Sequence, residues 1–170
     1  GNETTTSTLA GGMLQLIRNP EQMSKAAAAA GGKDPKIIAN LVEETLRTET
    51  PTAGMWRLVT RDTELGGVHL PKGSMLHLRY AAANRDPAKY HDPDKFDIGR
   101  DNARTHLAFG KGIHMCVGNM LSRKEVTVAF DELLSRLTNF EVADEAAITI
   151  PPNMLLRGII KLPIRFRKIA

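Results

Sequence analysis

A chain of 170 residues, 42% hydrophobic and 25% charged, is large enough for one globular domain with a sizeable core. A formal net charge of +4, with no long basic block, gives no reason to expect a nucleic-acid partner. No apolar run is long enough to span a membrane, and one cysteine excludes an internal disulfide.

The opening stretch, GNETTTSTLAGGMLQLIRNP, carries Leu9, Met13, Leu16 and Ile17 at helical spacing, and Asn19-Pro20 ends the pattern. No capping box precedes it, so the chain is expected to start inside a helix, and the lack of a leader or anchor carries no information. Pro20 opens a second helix through the alanine run, which Gly31-Gly32 stops. Asp34-Pro35 caps a third, with Ile37, Ile38, Leu41, Val42 and Leu46 as its apolar stripe. Pro51 and Gly54 mark a loop. MWRLVTRDTEL and GGVHL then read as a hairpin about Gly66-Gly67. SMLHLRYAAAN begins as a strand and turns helical. Asp86-Pro87 and Asp92-Pro93 punctuate a long polar stretch running to the cysteine, and a structureless loop of that length is usually functional. A long helix follows Gly118, with Met120, Leu121, Val126, Phe130, Leu133 and Leu134 on its apolar face. The last residues read as short strands broken by Pro151-Pro152 and Gly158.

The one thiol, Cys116, sits in FGKGIHMCVG just ahead of that helix. A helix N-terminus favours thiolate, and glycine lets backbone approach a large flat ligand closely. A thiolate is one of the axial ligands of haem iron. A small buried hydrophobe in a tight loop is the competing reading of a lone cysteine.

The ten-residue string resembles the haem-binding signature of the cytochrome P450 family at Phe109, Gly110, Gly112, His114, Cys116 and Gly118, and NMLSRKE behind it is similar to the family's following helix. The resemblance implies that Cys116 is the proximal iron ligand, that Phe109 packs by the sulfur and haem, and that His114 reaches a haem propionate. It extends to EETLR, where Glu44 and Arg47 resemble the family's Glu-x-x-Arg motif and Arg100 its third member, a network holding the long loop to a helix. Alone, such a charge pair also decorates solvated helices. GNETTT resembles the middle of the family's distal helix. Gly1 would lie where that helix passes the haem, and Glu3 and Thr4 match an acid–alcohol pair that relays protons. Arg57 resembles an arginine paired with a haem propionate, and an exposed strand arginine is the alternative. Ala53, Gly54, Met55, Leu155 and Leu156 fall where family members contact substrate, or are plain core. Lys111, Arg123 and Lys124 would face a redox partner on the proximal side, or serve solubility.

The fold implied is mainly α with small β-sheets, the C-terminal part of the cytochrome P450 fold truncated within the long distal helix. Residues 1–170 would be a C-terminal fragment of a single haem-thiolate monooxygenase domain. The implied activity inserts one oxygen atom of dioxygen into a small organic substrate. It uses haem b (iron protoporphyrin IX) and electrons passed from NAD(P)H through a ferredoxin or flavin-type donor. Two other readings stay open: a truncated, catalytically inactive fragment, and a peroxide-driven haem-thiolate enzyme, which would usually lack the Glu3-Thr4 pair. The string is closer to soluble bacterial members than to membrane-anchored ones, which implies a cytoplasmic enzyme.

Overall fold

The computed structural model describes residues 2–169. Helices α1 (Asn2–Arg18), α2 (Pro20–Ala29) and α3 (Pro35–Glu49) come first, with joints where proline, glycine and aspartate set them. Pro20 opens α2, where its missing N–H has no intrahelical partner to lose. Gly31 and Gly32 take φ of 74° and 76°, a left-handed path out of the helix that side chains resist. The Asp34 carboxylate caps α3 by accepting from the N–H groups of Lys36 and Ile37 at 3.1 and 3.3 Å.

The core lies among α1, α3 and α5 (Asn119–Arg136). Ile38, Leu41, Val42 and Leu46 bury the stripe of α3, and Val126, Phe130 and Leu134 lie against it from α5. Each such side chain contributes about 1.5–3 kcal/mol through burial. Gly12 brings α1 close: a Cβ there would fall 2.6 Å from the Phe130 ring and 2.8 Å from Thr45 Oγ1. Met120 and Leu121, expected on the buried face of α5, are exposed instead. They are rotated more than a quarter turn from the line of Val126, Phe130 and Leu134 that meets the core. Leu133 is partly exposed beside that line.

The strands form three separate two-stranded ladders. β1 (Met55–Leu58) pairs antiparallel with β4 (Met75–Leu78), and β2 (Thr63–Leu65) with β3 (Val68–Leu70) across Gly66-Gly67. The expected hairpin is therefore confined to β2 and β3, and β1 reaches past it to β4. Asp62 makes the break, its Oδ1 accepting from Lys72 N–H at 2.7 Å, while Gly73 N–H donates to Val59 O at 2.8 Å. β5 (Leu137–Val142) pairs with β6 (Ile164–Lys168), with an irregularity between Thr138 and Glu141. After the short α4 (Tyr80–Ala83), residues 84–118 contain no strand and only two short 3-10 turns. They nevertheless bury Tyr90, Phe96, Ile98 and Ala103. Among the described residues, no helix is long and apolar enough to cross a membrane.

Candidate functional site

Two acidic neighbours on α3 organise everything around the cysteine loop. Glu44 and Arg47 are both fully buried. Arg47 donates from Nε and Nη2 to the two carboxylate oxygens of Glu44 at 2.8 and 2.9 Å, a forked pair within one helical turn. Arg100 Nε and Asp97 N–H donate to the same carboxylate at 3.1 and 3.0 Å. The remaining donors of both guanidiniums reach main-chain oxygens. Arg47 takes Asn84, Pro93 and Lys95, and Arg100 takes His91, Asp92 and Lys95. Residues 84–100 have almost no regular secondary structure, so their carbonyls need partners from elsewhere, and two buried arginines supply them. Asn84 continues the seam. Its amide donates to Thr50 Oγ1 at 2.9 Å and accepts from Leu107 N–H at 2.7 Å.

Glu43 serves the other side of the helix. His106 Nε2 donates to its Oε2 at 3.0 Å, and Arg123 donates Nε to Oε1 at 2.7 Å and Nη2 to Oε2 at 3.2 Å. His106 Nδ1 accepts from Ala108 N–H at 3.1 Å, which leaves the ring proton on Nε2 facing the carboxylate. Burial alone would raise the Glu43 carboxyl, but the bonds from His106 and Arg123, with the arginine's charge, outweigh it and hold the group below its ordinary value. Sequence reading passed over both Glu43 and His106. Their bond spans 63 positions of chain, and no local spacing signals it.

Arg123 corrects an expectation. The sequence pattern places it with Lys111 and Lys124 as a cation for a docking partner. Its side chain is 17% exposed, paired with Glu43, and its guanidinium lies 4.5 Å above the Phe109 ring. Lys111 and Lys124 are exposed. A buried carboxylate captured the arginine, and lysine has neither the fork nor the planar face for that position.

The cysteine loop leaves the polar stretch through Phe109. Gly110 and Gly112 adopt φ of 69° and 77°, the left-handed turns that bring the chain round. Gly118 has φ −84° and caps α5 without needing a glycine's freedom. A Cβ there would lie 4.0 Å from Cys116 Sγ, an ordinary van der Waals contact. Cys116 N–H donates to Phe109 O at 2.9 Å, and Cys116 O accepts from Asn119 Nδ2 at 2.7 Å. The thiol is exposed.

It opens on a cavity of about 910 Å³ between α1 and this loop, at the upper end of the roughly 300–1,000 Å³ of small-molecule sites. Thr4, Thr5, Thr8 and Leu9 of α1 line one wall, and Phe109, Gly110, His114, Cys116 and Gly118 the other. Met55 and Arg57 of β1, with Tyr80, close an edge. Arg57 donates to Trp56 O at 2.8 Å and has no ion pair among the described residues. Thr5 Oγ1 and Ser122 Oγ, 3.2 Å apart, tie α1 to α5 at the cavity rim.

Other expected residues scatter. Thr4 is at the cavity; Glu3 is exposed and not among its lining. Gly1 lies outside the described residues. Of the residues expected at substrate, Met55 lines the cavity while Ala53, Gly54, Leu155 and Leu156 do not. Three of them join the loop before β1 to the C-terminal segment: Ala53 N–H donates to Leu155 O at 2.8 Å and Thr52 bridges Leu156. Gly54 lets the His77 ring approach, since a Cβ would sit 2.5 Å from its Nε2. Gly112 is not one of the lining residues either, and lies open.

The donor set can be tested against haem. Among the described residues, no cluster of three or more His, Cys, Asp or Glu could hold a bare metal ion. A metal at Cys116 must therefore bring its other ligands with it. The cavity joins one exposed thiol, an apolar wall of Leu9, Leu46, Met55, Phe109 and Leu121, and two groups suited to carboxylates, Arg57 and His114. That combination fits a flat apolar macrocycle carrying its own metal and acidic side chains.

The cytochrome P450 family model matches residues 1–166. The steroid C26-monooxygenase of Mycobacterium tuberculosis is 38% identical over 167 residues, covering 98% of this chain and 43% of that protein. The biotin biosynthesis cytochrome P450 of Bacillus subtilis is 36% identical over 166 residues, covering 98% of this chain and 40% of that protein. The solved structure of cytochrome P450 CYP109Q5 from Chondromyces apiculatus matches with a TM-score of 0.89 at 37% identity, over 99% of this chain and 42% of that one. The chain spans about two-fifths of the length of these proteins.

Proposed function

The chain belongs to the cytochrome P450 family, and from that premise we propose that residues 1–170 are the C-terminal part of a single haem-thiolate monooxygenase domain. The observation that carries the reading is the 910 Å³ cavity, with the chain's one thiol on one wall and helix hydroxyls on the other.

When bound, haem would supply dioxygen activation, to which a thiolate ligand lends electron density. Cys116 is the group that holds the iron. Its loop, turned by the left-handed Gly110 and Gly112, places Cys116 at the cavity, where the thiol would hold the iron. Arg57 and His114 hold the carboxylates of the macrocycle, and Phe109 packs beside the sulfur. Thr4 works from the opposite wall: its hydroxyl would order water and pass protons toward the centre of the cavity. Glu3, on the exposed side of the same turn, exchanges protons with solvent and feeds that relay. Leu9, Leu46 and Met55 keep bulk water out. The substrate is a small organic molecule, and the electrons come from NAD(P)H through a ferredoxin or flavin-type donor near Lys111 and Lys124. Catalysis takes place in the cytoplasm.

The test uses the haem-loaded, full-length protein with a ferredoxin, its reductase, isotopically labelled dioxygen and a panel of small apolar substrates. Product carrying one labelled oxygen atom is the expected result. Oxidation that occurs only when peroxide is supplied would overturn the monooxygenase reading in favour of a peroxide-driven enzyme. In the same assay Thr4→Ala should still bind substrate and consume reductant, with less product and more hydrogen peroxide per NAD(P)H. Unchanged coupling would remove Thr4 from the proton route.

A further inference from the structure

We propose that Glu43, His106 and Arg123 form a positioning clamp that fixes the main chain of Cys116 and so sets how its sulfur meets the metal; the proposal rests on Cys116 being the axial ligand.

The geometry forms a closed circuit. Glu43 is built into α3, the rigid central helix. Through His106 it fixes the turn leading into Phe109, because the ring that donates to Glu43 at 3.0 Å also accepts Ala108 N–H at 3.1 Å. Through Arg123 it reaches both sides of the cysteine. The guanidinium covers the Phe109 ring at 4.5 Å, and Phe109 O accepts Cys116 N–H at 2.9 Å. Arg123 Nη1 also donates to Asn119 Oδ1 at 2.8 Å, and Asn119 Nδ2 donates to Cys116 O at 2.7 Å. Asn119 N–H also donates to Cys116 O at 3.3 Å, so all three hydrogen bonds of the Cys116 main chain end on residues that Arg123 seats. The loop itself has little else to hold it. Gly112 and Gly118 flank the cysteine, and Ile113 and Val117 are 96% and 101% exposed. A backbone this free fixes a sulfur only if something outside the loop grips it, and partners that orient a metal ligand govern affinity nearly as strongly as the ligand does.

Arg123 is therefore a positioning residue whose charge is spent inside the protein. Its guanidinium fork and flat face are both in use, so lysine can keep the charge but cannot make both contacts.

The test is made on the full-length, haem-loaded protein with Glu43→Gln, Arg123→Gln, Arg123→Lys and Asn119→Ala. The readouts are haem affinity, the share of haem giving the thiolate–carbonyl Soret band after reduction under carbon monoxide, and the melting temperature. Glu43→Gln and Arg123→Gln are expected to weaken haem binding about 10- to 100-fold and to move most of the carbonyl band to the thiol form. Arg123→Lys should restore part of the band. Asn119→Ala, which removes the side-chain links to Cys116 O and Arg123 but keeps the main-chain N–H bond and the buried charge pair, should lose part of it without lowering the melting temperature. If the first two variants fail to fold, Asn119→Ala and Arg123→Lys decide. Unchanged band and haem affinity in the variants that fold, with or without a lower melting temperature, would overturn the clamp and leave the network a stability element only. Cys116→Ser is the control: a thiolate band that survives it removes the ligand reading, and the clamp's purpose with it.

Discussion

Glu43 and Glu44 are neighbours on one helix, both buried, and they lead separate lives. Glu44 binds a partner three residues away and draws in Arg100, so its network holds residues 84–100 against α3. Glu43 binds partners 63 and 80 residues away and holds the two ends of the cysteine loop. The first carboxylate is a staple for irregular main chain; the second is tied to the site. Side by side, they show that burial and charge alone do not tell a carboxylate that holds irregular main chain from one that braces the cysteine loop. The destination of each hydrogen bond does.

The difference can be broken experimentally, beginning with the largest effect. Glu44→Ala should cost about 3–5 kcal/mol, because Arg47 and Arg100 would remain buried without their counter-charge. Chemical unfolding of full-length holoprotein and variant measures it, and a loss under about 1 kcal/mol would place the pair among exposed ion pairs. Glu43→Gln should cost less, about 1–3 kcal/mol, since an amide still accepts one hydrogen bond and Arg123 is partly solvated.

The Glu43 network can also be followed in acid. The Glu43 carboxyl is lowered in the folded protein, so its contribution is fully present above the unfolded glutamate value of about 4.3 and fades as pH falls through the folded value. Unfolding free energies of the unmodified protein and of Glu43→Gln, measured from neutrality downward, should therefore converge below about pH 4.3. A constant gap across that range would contradict the pairing with His106 and Arg123. The smallest effect belongs to the exposed Arg136–Glu132 pair at the end of α5: Arg136→Ala should change stability by no more than about 0.5 kcal/mol.

Much of this was legible in the sequence wherever the interaction is local. Asn19-Pro20, Gly31-Gly32 and Asp34-Pro35 set the helix joints, because proline, glycine and a capping carboxylate act within a turn. Glu44 and Arg47 could be paired on paper because i,i+3 places them on one face. The string around Cys116 was readable as a motif, and the cavity places Phe109, Gly110, His114, Cys116 and Gly118 on one wall. What failed was non-local. β1 skips the hairpin to join β4, a choice made by Asp62 and Gly73 rather than by strand composition. Arg123 reads as a surface cation until Glu43 and Phe109 are seen beneath it. Met120 and Leu121 fit a helical stripe that the neighbouring helices do not cover. The Glu3-Thr4 pair reads as one unit, yet of the two only Thr4 lines the cavity.

The central claim, that Cys116 is the axial ligand of haem, is met most directly by a reduced, carbon-monoxide difference spectrum of the full-length protein and its Cys116→Ser variant. The expected result is a thiolate–carbonyl Soret band in the first and none in the second. The same band in both would contradict the claim.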